Sequence, residues 1–109
     1  FIFNGNVINE GCITNLPSET CVEIPVVADK FGFKKTFVGE LPKHLATFIG
    51  TTAGIENLVV EGAMEKNREK IIRAVMLDPL SSAVCSMAEI REMCDILFEK
   101  NKDFLGDYK

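Results

Sequence analysis

Four cysteines, one histidine and a few pairs of acids are the side chains in this sequence that could do chemistry. The cysteines are Cys12, Cys21, Cys85 and Cys94, and none forms a CxxC pair. A structural zinc site needs four converging Cys or His ligands, usually in close pairs. The wide spacing here does not supply them. The chain is also not small and loop-rich enough to need disulfides. The four are therefore read as reduced, mostly buried thiols of a cytoplasmic protein. Cys85 closes the stretch IIRAVMLDPLSSAVCS, residues 71–86, just before a helix start. The partial positive charge of a helix N-terminus can lower a thiol pKa. A nucleophilic cysteine also needs a base, and the one histidine, His44, belongs to a different element. Cys85 is read instead as a small filler beside the last helix. His44 follows ELPK at another helix start and has no Cys or Asp pattern around it to suggest a ligand or base.

The acid pairs Glu56 and Glu61, Glu65 and Glu69, and Glu89 and Glu92 raise the question of glycosidase chemistry. That chemistry needs two carboxylates about 5–10 Å apart across a cleft. On amphipathic helices such acids are ordinarily the solvated face. No GxGxxG or GxxxxGK[ST] phosphate loop is present. Read from its residues alone, the chain has no self-contained active site: no catalytic, cofactor-binding or metal-binding residue is assigned.

The elements that would position any site follow from periodicity. The chain has 109 residues, 47% hydrophobic and 26% charged, which predicts one ordinary soluble domain spanning 1–109. A net charge of −4 without a basic stripe argues against nucleic acid. No apolar run reaches the roughly 18–20 residues a membrane span needs. FIFNGNVI reads as a strand, and the chain starts within it without a Met, which suggests a piece of something larger. GCITNLPSET supplies turn residues. TCVEIPVVA alternates, placing Val22, Ile24 and Val26 on one face. Pro25 cannot donate to a ladder, so that strand should be an edge or should meet the sheet on one side there. ADKFGFKKTFVG reads as a hairpin turning at Asp29 to Gly32 and returning over Phe33 to Val38.

After GELP the period changes to that of helices, with Pro42 suited to a first turn. Leu45, Phe48 and Ile49 make one apolar face. Ile55, Leu58, Val59, Gly62 and Ala63 make the next. Ile71, Ile72, Val75 and Met76 make a third, with Asn67 as N-cap. Asp78-Pro79 should end that helix, and LSSAV should connect it to the last. Ser86 and Glu89 have capping-box spacing, ahead of a stripe of Met87, Ile90, Met93, Cys94, Leu97 and Phe98. KNKDFLGDYK should be a charged, fraying end. Strands followed by helices predict an α+β fold.

These motifs in this order resemble the C-terminal segment of family 4 glycoside hydrolases. NEGCITNLPSETCVEIPVVADKFG is similar to that family's Gly, Asn-Leu-Pro and Val-Glu-x-Pro run. FVGELPKHLA is similar to its Val-Gly-x-Leu-Pro step, and ENLVVEGAMEKNREKIIRAVMLDPLSSAVCSMAEI to its two helices, Leu-Asp-Pro-Leu joint and last helix. That joint looks most like the α-galactosidase and α-galacturonidase branch. Two departures stand out: TFIGTTAGIEN is less polar than the family's helix, and Gly62 stands where Ala is usual.

The resemblance implies a C-terminal domain like that of lactate and malate dehydrogenases. It also implies an N-terminal Rossmann-like NAD domain in the same parent chain, and a homo-oligomer. The implied reaction cleaves O-glycosidic bonds by redox-assisted elimination. NAD+ oxidises the sugar at C3, a base removes the acidified C2 proton, and a divalent metal, typically manganese, polarises the sugar oxygens. The parts for that chemistry lie upstream in the family. The expectation is therefore NAD and Mn2+ in the parent enzyme, with neither bound by these 109 residues alone. Asn15, in the Asn-Leu-Pro match, is the one substrate-cleft candidate. A stand-alone, non-catalytic binding or oligomerisation module is the alternative.

Overall fold

The computed structural model describes all of residues 1–109. Three strands come first: β1 (Ile2–Ile8), β2 (Cys21–Asp29) and β3 (Gly32–Lys35). Five helices follow: α1 (Lys43–Met64), α2 (Arg68–Leu77), α3 (Pro79–Val84), α4 (Met87–Lys100) and α5 (Lys102–Leu105). The α+β order is as the periodicity predicts. The strands form one antiparallel sheet in the order β1-β2-β3. No helix is long and apolar enough to cross a membrane. The chain divides into two compact units, Phe1–Gly54 and Ile55–Lys109.

In the first unit, Val22, Ile24 and Val26 share the buried face of β2, as their alternation requires. Val22 and Ile24 join Ile13 and Leu16 in a core, with Val7, Cys12, Leu41 and Ala46 packed against it. β2 is the central strand, which rules out the edge position for Pro25. The other solution holds. Pro25 lies opposite Asn4 on the β1 side, while on the other side the β3 ladder stops one residue short of it, at Val26 and Lys35. The Pro25 carbonyl accepts from the N–H and hydroxyl of Thr36, at 3.2 and 2.6 Å. The proline that donates nothing thus sits where the ladder ends. The hairpin turns as expected, the Phe31 N–H donating to the Asp29 carboxylate. Its return strand closes at Lys35 rather than Val38.

α1 is one helix where the apolar pattern suggested two faces in succession. It begins after Pro42, whose carbonyl accepts from Leu45 and Ala46, so the proline precedes the first turn instead of joining it. Leu45, Phe48 and Ile49 stay largely exposed, and Ala46 and Ala53 carry the burial.

In the second unit, Ile72, Ile90 and Cys94 form the core, with Val75, Met76, Cys85 and Phe98 against it. The predicted caps are present. Asn67 accepts from the Lys70 N–H, and Ser86 and Glu89 complete a reciprocal capping box. Asp78 ends α2 and also caps α3, accepting from the Ser81 N–H and hydroxyl. LSSAV is therefore a short helix that shares its boundary residue with its predecessor. Of the α4 stripe only Ile90 and Cys94 are buried; Met87 and Leu97 are exposed. The C-terminus is tied down rather than frayed. Lys109 bonds Lys66 and Arg68 through the backbone, and Tyr108 rests on Phe98 with ring centroids 5.3 Å apart.

The end of α1 shows how the local sequence departs from its ideal. The N–H of Asn67 donates to the Gly62 carbonyl and that of Lys66 to the Ala63 carbonyl, the pairing of a Schellman motif. Lys66 takes the left-handed position, φ +52°, where a side chain costs roughly 1–2 kcal/mol. Lys66→Gly removes that strain at some cost in unfolded-chain entropy. We expect a net stabilisation of about 0.5–1 kcal/mol, read as a higher urea midpoint. An unchanged or lower midpoint would contradict it.

Candidate functional site

The two motifs Asn15-Leu16-Pro17 and Val38-Gly39-Glu40-Leu41-Pro42 meet in the first unit. A single side chain organises the segment that carries the first. Asn9 follows β1 and is fully buried. Its Nδ2 donates to the carbonyls of Ile13, Leu16 and Pro17 at 2.9–3.1 Å. Its Oδ1 accepts from the Ile13 N–H at 2.7 Å, and its backbone N–H closes the ladder on Thr20. Turn backbone that would otherwise be buried without partners is thereby satisfied.

This ordered loop then grips the second motif. The carbonyl of Cys12 accepts from Val38 and Gly39, and the Thr14 N–H donates to the Gly39 carbonyl. Ile13 and Gly39 form an isolated parallel bridge. Gly39 has φ +88°, a backbone conformation that a side chain would strain. Asn15 makes the final clasp: Nδ2 donates to the Leu41 carbonyl at 2.8 Å and Oδ1 accepts from the Leu41 N–H at 3.0 Å. The amide of the one cleft candidate is thus paired with backbone at both ends. Its place in this unit is that of a positioning residue for Leu41 and for the start of α1. Thr14, Glu40 and His44 are exposed around this junction.

The other candidates lie elsewhere. Cys85 is the C-cap of α3, half-buried against Ile72, Ile90 and Cys94, which is the filler role. Cys94 is buried, and burial pushes its thiol pKa up, away from thiolate reactivity. Only Cys94 of the four is fully buried; Cys12 and Cys85 are half-buried and Cys21 is exposed. Four of the six paired acids, Glu61, Glu65, Glu69 and Glu89, serve in a cap or an ion pair. Glu61 and Glu65 both hold Lys70, and Arg91 forks onto Glu69 at 2.6 and 3.0 Å. The Arg91 bond holds the Glu69 carboxyl below its usual range. Glu89 is lowered by the Ser86 bonds and Asp78 by those from Ser81. Each shift favours the charged form, the opposite of a general acid kept protonated. No three His, Cys, Asp or Glu side chains converge as a metal-binding group. The second unit has a polar hollow of about 170 Å³ beside Arg68, Lys102 and Tyr108. It also has an apolar one of about 240 Å³ beside Val75, Leu97 and Phe98.

The model of the family 4 glycosyl hydrolase C-terminal domain matches residues 1–81. An α-galactosidase of Bacillus subtilis (strain 168) is 44% identical over 109 residues, 100% of this chain and 25% of that protein. A 6-phospho-α-glucosidase from gut microorganisms, solved in complex with NAD and glucose-6-phosphate, superposes with a TM-score of 0.88 at 28% identity. It covers 100% of this chain and 24% of its own. A 6-phospho-α-glucosidase from gut microorganisms in complex with NAD and Mn2+ gives a TM-score of 0.83 at 26% identity, over 94% of this chain and 23% of its own. The chain spans about a quarter of the length of the proteins it matches.

Proposed function

Because the chain belongs to the family 4 glycosyl hydrolases through their C-terminal domain, we propose that it is the C-terminal part of a cytoplasmic glycosidase of the α-galactosidase type. The whole protein would use NAD and a divalent metal. The observation that carries this reading is the 44% identity to an α-galactosidase along the entire chain, against 32% over 98 residues to a 6-phospho-α-glucosidase.

The residues present do not themselves fit either group. No metal-ligating cluster forms among them, and no glycine-rich phosphate loop opens a helix. No chemical step is therefore derived through these side chains. In this reading the chain supplies a wall. Asn9 and Asn15 hold residues 12–17 and 38–42 in one arrangement. An N-terminal Rossmann-like domain of the same protein brings cofactor, metal and acid–base groups. The glycoside lies between, with Asn15 shaping the cleft through Leu41, and the enzyme assembles as a homo-oligomer.

The test is to express the full-length protein and assay 4-nitrophenyl α-galactoside and 4-nitrophenyl α-glucoside 6-phosphate with NAD+ and Mn2+ each present or withheld. Turnover of the galactoside that needs both additions is expected, with none from residues 1–109 alone. Turnover of the phosphorylated glucoside only would overturn the sugar assignment. Activity of the 109 residues alone would overturn the division of labour.

A further inference from the structure

Within these 109 residues the outer edge of β1 pairs with no other strand. β1 pairs only with β2, and Ile2–Ile8 contains no charge and no proline, the usual protections of an exposed edge. The opposite edge, β3, is four residues long and carries Lys34 and Lys35. The backbone of β1 shows which groups face outward. The Phe1 amine donates to Ala28, the Ala28 N–H to Phe1, and the Asn9 N–H to Thr20. Antiparallel pairing alternates, so the odd residues turn their peptide groups to β2 and Ile2, Asn4, Asn6 and Ile8 turn theirs away. The Ile8 carbonyl accepts from Lys35 Nζ. The side chains of Ile2 and Ile8 are 67% and 47% exposed.

The sequence of this edge, Ile2-Phe3-Asn4-Gly5-Asn6-Val7-Ile8, reads nearly the same in both directions about Gly5. An antiparallel two-fold through Gly5 sets Ile2 against Ile8, Asn4 against Asn6 and Phe3 against Val7 of a second copy. That register pairs even residues with even residues, which are the ones with outward peptide groups. Each outward side chain also meets its own kind, isoleucine beside isoleucine and amide beside amide. A register shifted by one residue would oppose outward groups to inward ones.

We propose that β1 is a homodimer interface, pairing edge to edge with β1 of a second copy about Gly5, so that two three-stranded sheets become one continuous sheet. The proposal specifies a surface for the homo-oligomer invoked above and does not depend on the reaction. Galactosidase turnover by the wild type reports on that reading separately.

The test is analytical ultracentrifugation of the full-length protein carrying Asn4→Lys with Asn6→Lys, a second variant carrying Asn4→Glu with Asn6→Glu, and their equimolar mixture. Both sites are solvent-exposed, and circular dichroism checks that each variant folds. Each variant alone opposes like charges across the two-fold, so its dimer dissociation constant should rise at least about tenfold. The mixture opposes unlike charges and should regain dimer. A monomeric wild type, variants that keep the wild-type mass, or weakening without recovery on mixing would each overturn the proposal. Unchanged mass is also the result expected if another strand of the same protein covers this edge.

Discussion

Asn9→Ala should cost about 3 kcal/mol or more of stability, read as a lower urea midpoint with an unchanged slope. The substitution leaves the Ile13 N–H and the carbonyls of Ile13, Leu16 and Pro17 without their partner. Each buried polar group left unpaired costs about 1–3 kcal/mol. Solvent reaching the loop would recover part of that, since Pro17 is exposed. The cavity left by the amide is small, so the polar loss dominates. Asn9→Asp separates the contributions. It keeps an acceptor for the Ile13 N–H but faces the three carbonyls with a carboxylate that has nothing to donate. It should therefore be as destabilising as alanine or more so, and worse at neutral pH than in acid, where the protonated group donates again. A loss below about 1 kcal/mol in Asn9→Ala would mean that the loop holds its shape without this staple.

The same residue marks where reading the sequence runs out. The strands, caps and joints were legible because each rests on a local rule. Alternation placed Val22, Ile24 and Val26 on one face, Ser86 and Glu89 stood at capping-box spacing, and Asp78-Pro79 broke α2 from α3. Asn9 carried only a weak signal, a short polar side chain ahead of Glu10 and Gly11 that could bond nearby backbone. Its three carbonyls become neighbours only after the loop folds back to Thr20. The central position of β2 was similarly hidden, because Pro25 is compatible either with an edge or with the end of a ladder. The order of three strands decides between them. The anchoring of the C-terminus depends on a contact across forty-odd residues, Lys66 with Lys109, that no window shows.

The candidate site was legible in another sense. Asn-Leu-Pro and Gly-Glu-Leu-Pro are separated by a whole hairpin in the chain, and nothing local says they touch. Their order carried the family resemblance, and the clasp between Asn15 and Leu41 gives that order a physical reason. Residues at both places hold one junction. Of the thiols and acids that invited chemical readings, Cys85 and Cys94 are committed to packing, Glu89 to a cap, and Glu61, Glu65 and Glu69 to ion pairs. A side chain's reactivity in isolation is therefore a poorer guide in this chain than the backbone groups it satisfies.

Gly62→Ala should destabilise the second unit by about 1 kcal/mol, although alanine is the better helix former and the residue expected there from the family pattern. The intrinsic gain of replacing glycine within a helix is about 1 kcal/mol. Against it stands the close approach of α2 immediately after the Schellman turn. A Cβ on Gly62 would lie 2.8 Å from Ile71 Cγ1, 3.1 Å from Lys70 Cβ and 3.3 Å from the Asn67 carbonyl oxygen. The Ile71 contact can be relieved by a rotamer change. Lys70 Cβ and the Asn67 carbonyl move only with the backbone of the first turn of α2, and Asn67 caps that helix. Overpacking of this kind costs about 1–3 kcal/mol and so outweighs the propensity gain. Urea titration of Gly62→Ala gives the net effect, and a second variant locates its source. In Gly62→Ala with Ile71→Ala the closest contact is gone, so the two substitutions should be non-additive, with the glycine change costing less in the Ile71→Ala background than in the wild type. A stabilised Gly62→Ala, or strict additivity, would show that α2 yields to the added methyl and that the glycine is not what allows the two helices to meet so closely.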